Sequence, residues 1–133
     1  MRESRTFPNE AASVPAARGF IKSTLHGVDA ETLQAIELMV SELATNCVRH
    51  TAESFEISVE HIPGQIRVQA TDCGEGKPQM RSPAPTDPHG RGLRIIDALA
   101  TDWGVEIGPG EKKQVWFELP GAAEPVKSLS GCR

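Results

Sequence analysis

Over its first fifty residues the chain repeats apolar side chains at helical spacing, and beyond them the pattern changes to strict alternation. "SRTFP" reads as a short edge strand stopped by Pro8. "SVPAARGFIKSTL" follows with helical character, Ser13 in the N-cap place and Pro15 tolerated in the first turn. "HGV" breaks that pattern, and Asp29 is a good N-cap for a helix expected from about Ala30 to Thr51. Leu33, Ile36, Met39 or Val40, Leu43 and Cys47 form its core-facing stripe. In "SFEISVEHI", Phe55, Ile57 and Val59 alternate with Glu56, Ser58 and Glu60. Pro63-Gly64 makes a turn, and Ile66, Val68 and Ala70 alternate again in "QIRVQATD", which predicts a β-hairpin. From Cys73 to Gly90 the chain has four prolines and little apolar content, so it predicts an irregular loop of a length that is usually functional. "RGLRIIDALA" then reads as a helix, "TDWGVEI" as a strand, "GPGEK" as a turn and "KQVWFELP" as a closing strand. Residues 121–133 are expected to be a disordered tail.

The order β-α-α-β-β-loop-α-β-β groups strands and helices rather than alternating them. It predicts an α+β two-layer sandwich, with helices on one face of a mixed, mostly antiparallel sheet. A chain of 133 residues suits one such domain. Its formal net charge of −4 gives no general attraction to nucleic acid or anionic lipid, which argues against a basic-groove DNA binder. No apolar run approaches the roughly 20 residues that span a bilayer, and "MRESRTFPNE" lacks the apolar core of a signal peptide. Cys47, Cys73 and Cys132 are odd in number and scattered, with no metal-ligand spacing. A reduced, cytoplasmic setting is the expectation.

Three stretches carry candidate chemistry. In "SELATNCVRHT", Glu42 and Asn46 lie four residues apart and so share one side of the helix, with Arg49 and His50 a turn further on. The pair suits either a solvated polar face or a set of hard oxygen ligands of the kind Mg²⁺ accepts beside phosphates. In "TDCGEG", Asp72-x-Gly74-x-Gly76 follows directly on a strand. That is a common turn signature, and equally a way to present a carboxylate to a donor such as the amine of adenine, where glycines let backbone approach. In "HGRGLRII", Gly90-Arg91-Gly92 precedes a helix whose N-terminal N–H groups suit a phosphate, or else simply ends the loop. No Walker-type GxxxxGK[ST] and no GxGxxG after a first βα turn is present, so P-loop and Rossmann readings fail.

The order of these stretches resembles the GHKL ATPase superfamily, which has the Bergerat fold. Within it, the small size, "SELATNCVRHT", "GRGLRIIDALATDWGV" and "VWFELP" resemble the stand-alone anti-sigma factor/serine-kinase group of the RsbW and SpoIIAB type. "RTFP…SVPAARGF" is similar to actinobacterial members, and the resemblance runs from about Arg5 to Pro120. It implies one ATPase domain over residues 1–120, with ATP or ADP and Mg²⁺ as ligands. Asn46 would hold the Mg²⁺, and Glu42 would act as general base toward the attacking hydroxyl. Asp72 would bind adenine in a pocket shaped by Gly74 and Gly76. The loop from Cys73 to Gly90, chiefly from Lys77, would be the ATP lid. Gly90, Arg91, Gly92 and Leu93 would close around the phosphates, and His50 would orient the site or pack. The resemblance further implies a protein serine/threonine kinase acting on a STAS-domain anti-anti-sigma factor, with a sigma factor as second partner and a homodimer as the working form. A nucleotide-dependent binding switch without phosphotransfer is the alternative. Relatives often read "GKTVWFEL", where the threonine helps hold the aspartate, and Gln114 is expected in that place here. Trp103 and Trp116 are expected in the core, and Cys47 and Cys73 as small apolar groups.

Overall fold

The computed structural model describes residues 1–50, 53–72, 88–108 and 112–121, with side chains for all of these except 50 and 88–93. The elements run β1 (Arg2–Phe7), α1 (Ser13–Thr24), α2 (Ala30–His50), β2 (Phe55–Ile62), β3 (Gln65–Asp72), α3 (Pro88–Leu99), β4 (Asp102–Ile107) and β5 (Lys113–Pro120). The strands form one sheet in the order β1-β2-β3-β5-β4. The expected two-layer sandwich is the fold found. Among the described residues every strand pairing is antiparallel, so the sheet is not mixed.

Alternation builds the sheet's two faces. Phe55, Ile57 and Val59 of β2, Ile66, Val68 and Ala70 of β3, and Val115, Phe117 and Leu119 of β5 are all buried under the helices. α2 turns Ile36, Met39, Val40, Leu43 and Ala44 onto them, and Leu33 and Cys47 pack at the margin of this core. Burying one such large apolar side chain contributes roughly 1.5–3 kcal/mol, so this layer dominates the stability. Pro63 followed by Gly64 at φ +82° has the pattern of a type II turn, and it joins β2 to β3 with Ile62 opposite Gln65. Phe7 closes the sheet's end by stacking on Phe55 (5.7 Å between centroids) and meeting Phe20 of α1 edge-on at 6.1 Å.

Capping differs between the first two helices. Asp29 caps α2 as expected, its Oδ2 accepting a hydrogen bond from the Thr32 N–H at 3.1 Å. That hydrogen bonding, from the Thr32 side chain and then its backbone, holds the Asp29 carboxyl below the usual carboxylate range. Ser13 is not the cap of α1. It is the first helical residue, and its hydroxyl donates to the Pro8 carbonyl at 2.6 Å, because the tight turn after β1 brings that carbonyl within reach. Asn9 adds a tether by donating from Nδ2 to the Val48 carbonyl near the end of α2.

Among the described residues, the other face of the sheet carries no helix. Across it run Arg2, Glu60, Arg67, Glu118 and Asp102 in one row, and Ser4, Ser58, Gln69, Trp116 and Gly104 in the next. Trp116 therefore lies outside the core, contrary to the sequence reading, because the alternation that buries Val115 and Phe117 turns residue 116 to the opposite side. Its ring lies against the Gly104 backbone, and the Arg67 guanidinium sits 4.2 Å from the ring centroid while pairing with Glu118 at 2.8 Å. Trp103, by contrast, faces the helices, packs on the core and donates from Nε1 to Asp97 at 2.8 Å. No helix is long and apolar enough to cross a membrane among the described residues.

Candidate functional site

Chain connections bring the singled-out residues to one end of the sandwich. α2 ends at His50, only four residues separate it from Phe55, and Phe55 pairs directly with Asp72 at the end of β3. The last turns of α2 therefore lie at the Asp72 end of the sheet. α3 is separated from β4 by two residues, so packing back over the sheet requires it to run opposite to β4. Its N-terminus points toward Ile107, which stands opposite Lys113 at that same end. Three elements thus converge: the C-terminal half of α2, the end of β3 and the start of α3.

Glu42 and Asn46 are both half-buried on α2, one turn apart, flanked by the buried Leu43 and Ala44. Arg49, one turn on, is exposed. α1 fixes this helix in place through Arg18, which donates to the Ser41 hydroxyl at 2.9 Å, and Ser41 in turn donates to the Glu37 carbonyl. The residue before Glu42 is thereby tied to the neighbouring helix, which limits rotation of α2 about its axis. That is the requirement for holding a carboxylate and an amide at fixed positions.

Asp72 shares the helix-covered face of the sheet, because it is paired with the fully buried Phe55. It is half-buried, and Phe55 and Phe7 back it with apolar surface. Gln114 does not share that face. It pairs with Thr71 and belongs to the uncovered side, so it does not stand where a side chain could hold Asp72. One step further in the same register, Lys113 is the residue opposite Asp72. The sequence reading missed this lysine, since β3 and β5 are far apart in the chain and only the observed pairing sets them in register.

α3 starts earlier than expected. Pro88 is its first residue, a place that suits proline's fixed φ and missing N–H. Gly90, Arg91, Gly92 and Leu93 therefore lie inside the first two turns rather than ahead of the helix. The helix has no acidic residue in its first turn, and the positive dipole end of such a helix start suits an anion. Gly74, Gly76, Cys73 and the stretch expected as a lid, up to residue 87, lie outside the described residues, as does the tail from residue 122. The side chain of His50 also lies outside them.

The donor set says which ligand fits. Among the described residues no group of three His, Cys, Asp or Glu side chains could hold a metal ion. An ion held by Asn46 would need most of its oxygen ligands from elsewhere, as Mg²⁺ does when it travels with nucleotide phosphates. Among the described residues these donors would suit a magnesium nucleotide better than a metal held by side chains alone. A separate shallow recess lined by Arg2, Ser58, Glu60, Arg67 and Gln69 lies on the uncovered face, away from this end.

Comparison with known proteins agrees with this geometry. The family model of the histidine kinase-like ATPase domain matches residues 7–119. Among solved structures, the chain is similar to the histidine kinase domain from the Erythrobacter litoralis EL346 blue-light activated histidine kinase. The TM-score is 0.56 at 23% identity, covering 87% of this chain and 62% of that one. A structure of the Erythrobacter litoralis EL346 blue-light activated histidine kinase gives a TM-score of 0.58 at 23% identity, covering 87% of this chain and 42% of that one. The chain thus spans less than two thirds of either protein, and at this identity the likeness concerns the fold. No curated protein matches the sequence. With most of its length matched by one family model, the chain belongs to the histidine kinase-like ATPase family.

Proposed function

We propose that the chain binds ATP at the Asp72 end of the sandwich and transfers its γ-phosphoryl group to a serine or threonine of a partner protein. Support comes chiefly from one observation: Glu42 and Asn46 are half-buried one turn apart on a helix whose end lies beside Asp72. In this reading Asp72 accepts a hydrogen bond from the adenine amine, which fixes the base at the end of β3. Mg²⁺, held by Asn46 and the phosphates, would offset charge on the transferring group. The N–H groups at the start of α3, with Gly90, Arg91, Gly92 and Leu93, close on the phosphates. Glu42 accepts the proton as the partner's hydroxyl oxygen forms its bond to the γ-phosphorus. The bond to the bridging β–γ oxygen breaks, and ADP leaves.

The partner is a STAS-domain anti-anti-sigma protein in this proposal, and the unphosphorylated partner competes with a sigma factor for the chain. The working form is a homodimer in a cytoplasmic setting. A second reading keeps nucleotide binding but not transfer, making the chain a nucleotide-dependent binding switch. One experiment separates these readings. Incubation of the chain with γ-labelled ATP, Mg²⁺ and STAS-domain proteins should give acid-stable phosphoserine or phosphothreonine, lost in Glu42→Gln. Acid-labile phosphohistidine would instead assign the chemistry named for the structural neighbours. Nucleotide binding without label on any protein would leave the switch.

A further inference from the structure

Continued one step past Thr71 and Gln114, the β3–β5 register sets Lys113 across from Asp72, and the proposed reaction leaves this lysine without a task. Five residues form the end row on the helix-covered face: Phe7, Phe55, Asp72, Lys113 and Ile107. The Asp72–Lys113 step follows from the β3–β5 register, in which Thr71 is opposite Gln114. Residues facing each other in this way have Cβ atoms about 4.5–5.5 Å apart, and a lysine stem can carry its ammonium beyond its neighbour's carboxylate.

The next row on the same face is Arg5, Ile57, Ala70, Val115 and Val105. Ala70 and Val115 are buried, while Val105 is 45% and Ile107 64% exposed. On β4, the outer strand among the described residues, Val105 and Ile107 thus offer an apolar ledge beside Asp72 and Lys113. A flat heteroaromatic ring suits such a ledge, with its polar edge turned to Asp72 and Lys113.

A carboxylate only accepts hydrogen bonds and an ammonium only donates them. Asp72 alone recognises an amine and is indifferent to the atom beside it. An aminopurine edge places an N–H donor next to a ring-nitrogen acceptor, and a carboxylate paired with an ammonium matches both. We propose that Lys113 is a specificity-determining residue of the base pocket, donating from its ammonium to the ring nitrogen adjacent to the amine that Asp72 accepts. This rests on the nucleotide reading of the site given above.

The test is a cycle between a side chain and a ligand atom. Dissociation constants are measured by calorimetry for ATP and for 1-deaza-ATP, in which that ring nitrogen is a C–H, with the wild-type chain, Lys113→Met and Lys113→Arg. Thermal unfolding of each variant checks that the fold is intact. The wild type is expected to bind 1-deaza-ATP about 10- to 100-fold more weakly than ATP, the range for losing a charge-assisted hydrogen bond. Lys113→Met should lose a similar factor toward ATP and no longer distinguish the two ligands, while Lys113→Arg retains discrimination. A lysine that only steadies the Asp72 carboxylate would weaken both ligands equally and leave their ratio unchanged, and that result overturns the proposal. ATP binding by the wild type without discrimination against 1-deaza-ATP also overturns it. Failure of the wild type to bind ATP at all would instead strike the nucleotide reading, and this inference with it.

Discussion

Replacing Gly104 with alanine tests the packing that sets β4 and β5 in register. A Cβ at Gly104 would stand 2.9 Å from three atoms of the Trp116 ring, against the 3.4–4 Å of ordinary contact. Relief requires the ring to move outward by about half an ångström or more. The ring is not free to do so, because Arg67 lies over it at 4.2 Å and is itself held by Glu118 at 2.8 Å. Forced overpacking of this kind costs typically 1–3 kcal/mol. Removing a glycine from a strand interior returns about 0.5–1 kcal/mol. Taken from the middle of each range, the expected net loss is about 1 kcal/mol. Urea unfolding should show a lower midpoint with an unchanged slope, followed by far-UV circular dichroism and tryptophan fluorescence. In the background of Trp116→Leu the alanine should cost much less, since the two changes share one contact. A Gly104→Ala chain as stable as the wild type, or an unchanged penalty beside Trp116→Leu, would refute the packing. It would also loosen the β4–β5 register that sets Ile107 opposite Lys113.

Other expectations follow from the core, the caps and the site. Phe117→Ala removes a fully buried ring from the centre of the sheet and should destabilise by about 3–5 kcal/mol in chemical unfolding. Asp29→Ala should lower the melting temperature by uncapping α2, while Asp29→Asn keeps an acceptor for the Thr32 N–H. Because the folded-state pKa of Asp29 is depressed, its contribution is present above the unfolded carboxylate pKa and fades as pH falls through the lower folded value. Melting curves of Asp29→Asn should therefore lack that acid-side loss, and an identical pH profile would contradict the assignment. Glu42→Gln should bind ATP with nearly wild-type affinity and transfer no phosphate, and residual transfer would remove Glu42 as the base.

Local patterns in the sequence carried most of the fold. The helical spacing of Ile36, Val40 and Leu43 and the alternation of Phe55, Ile57 and Val59 each report one buried face, and those residues are buried. Asp29 was legible as a cap because its role depends on residues three positions away. Trp116 and Gln114 were misplaced although the alternation of Val115, Phe117 and Leu119 turns both to the uncovered side. Tryptophan was read by its hydrophobicity and glutamine by resemblance, and in both cases strand parity decides. The opposition of Lys113 to Asp72 was illegible for a different reason, since it depends on pairing between strands some forty residues apart. At the candidate site, spacing and order single out Glu42, Asn46 and Asp72. Their convergence required the connections that bring the end of α2 and the start of α3 to one end of the sheet.

Calorimetric titration with ATP in Mg²⁺, for the wild type and for Asp72→Asn, tests the central claim most directly. The site as built should bind magnesium ATP in the wild type, and the asparagine, which can turn a donor toward the adenine amine, should weaken binding about 10- to 100-fold. No heat of binding at millimolar nucleotide, or equal affinity in the two chains, would contradict the account.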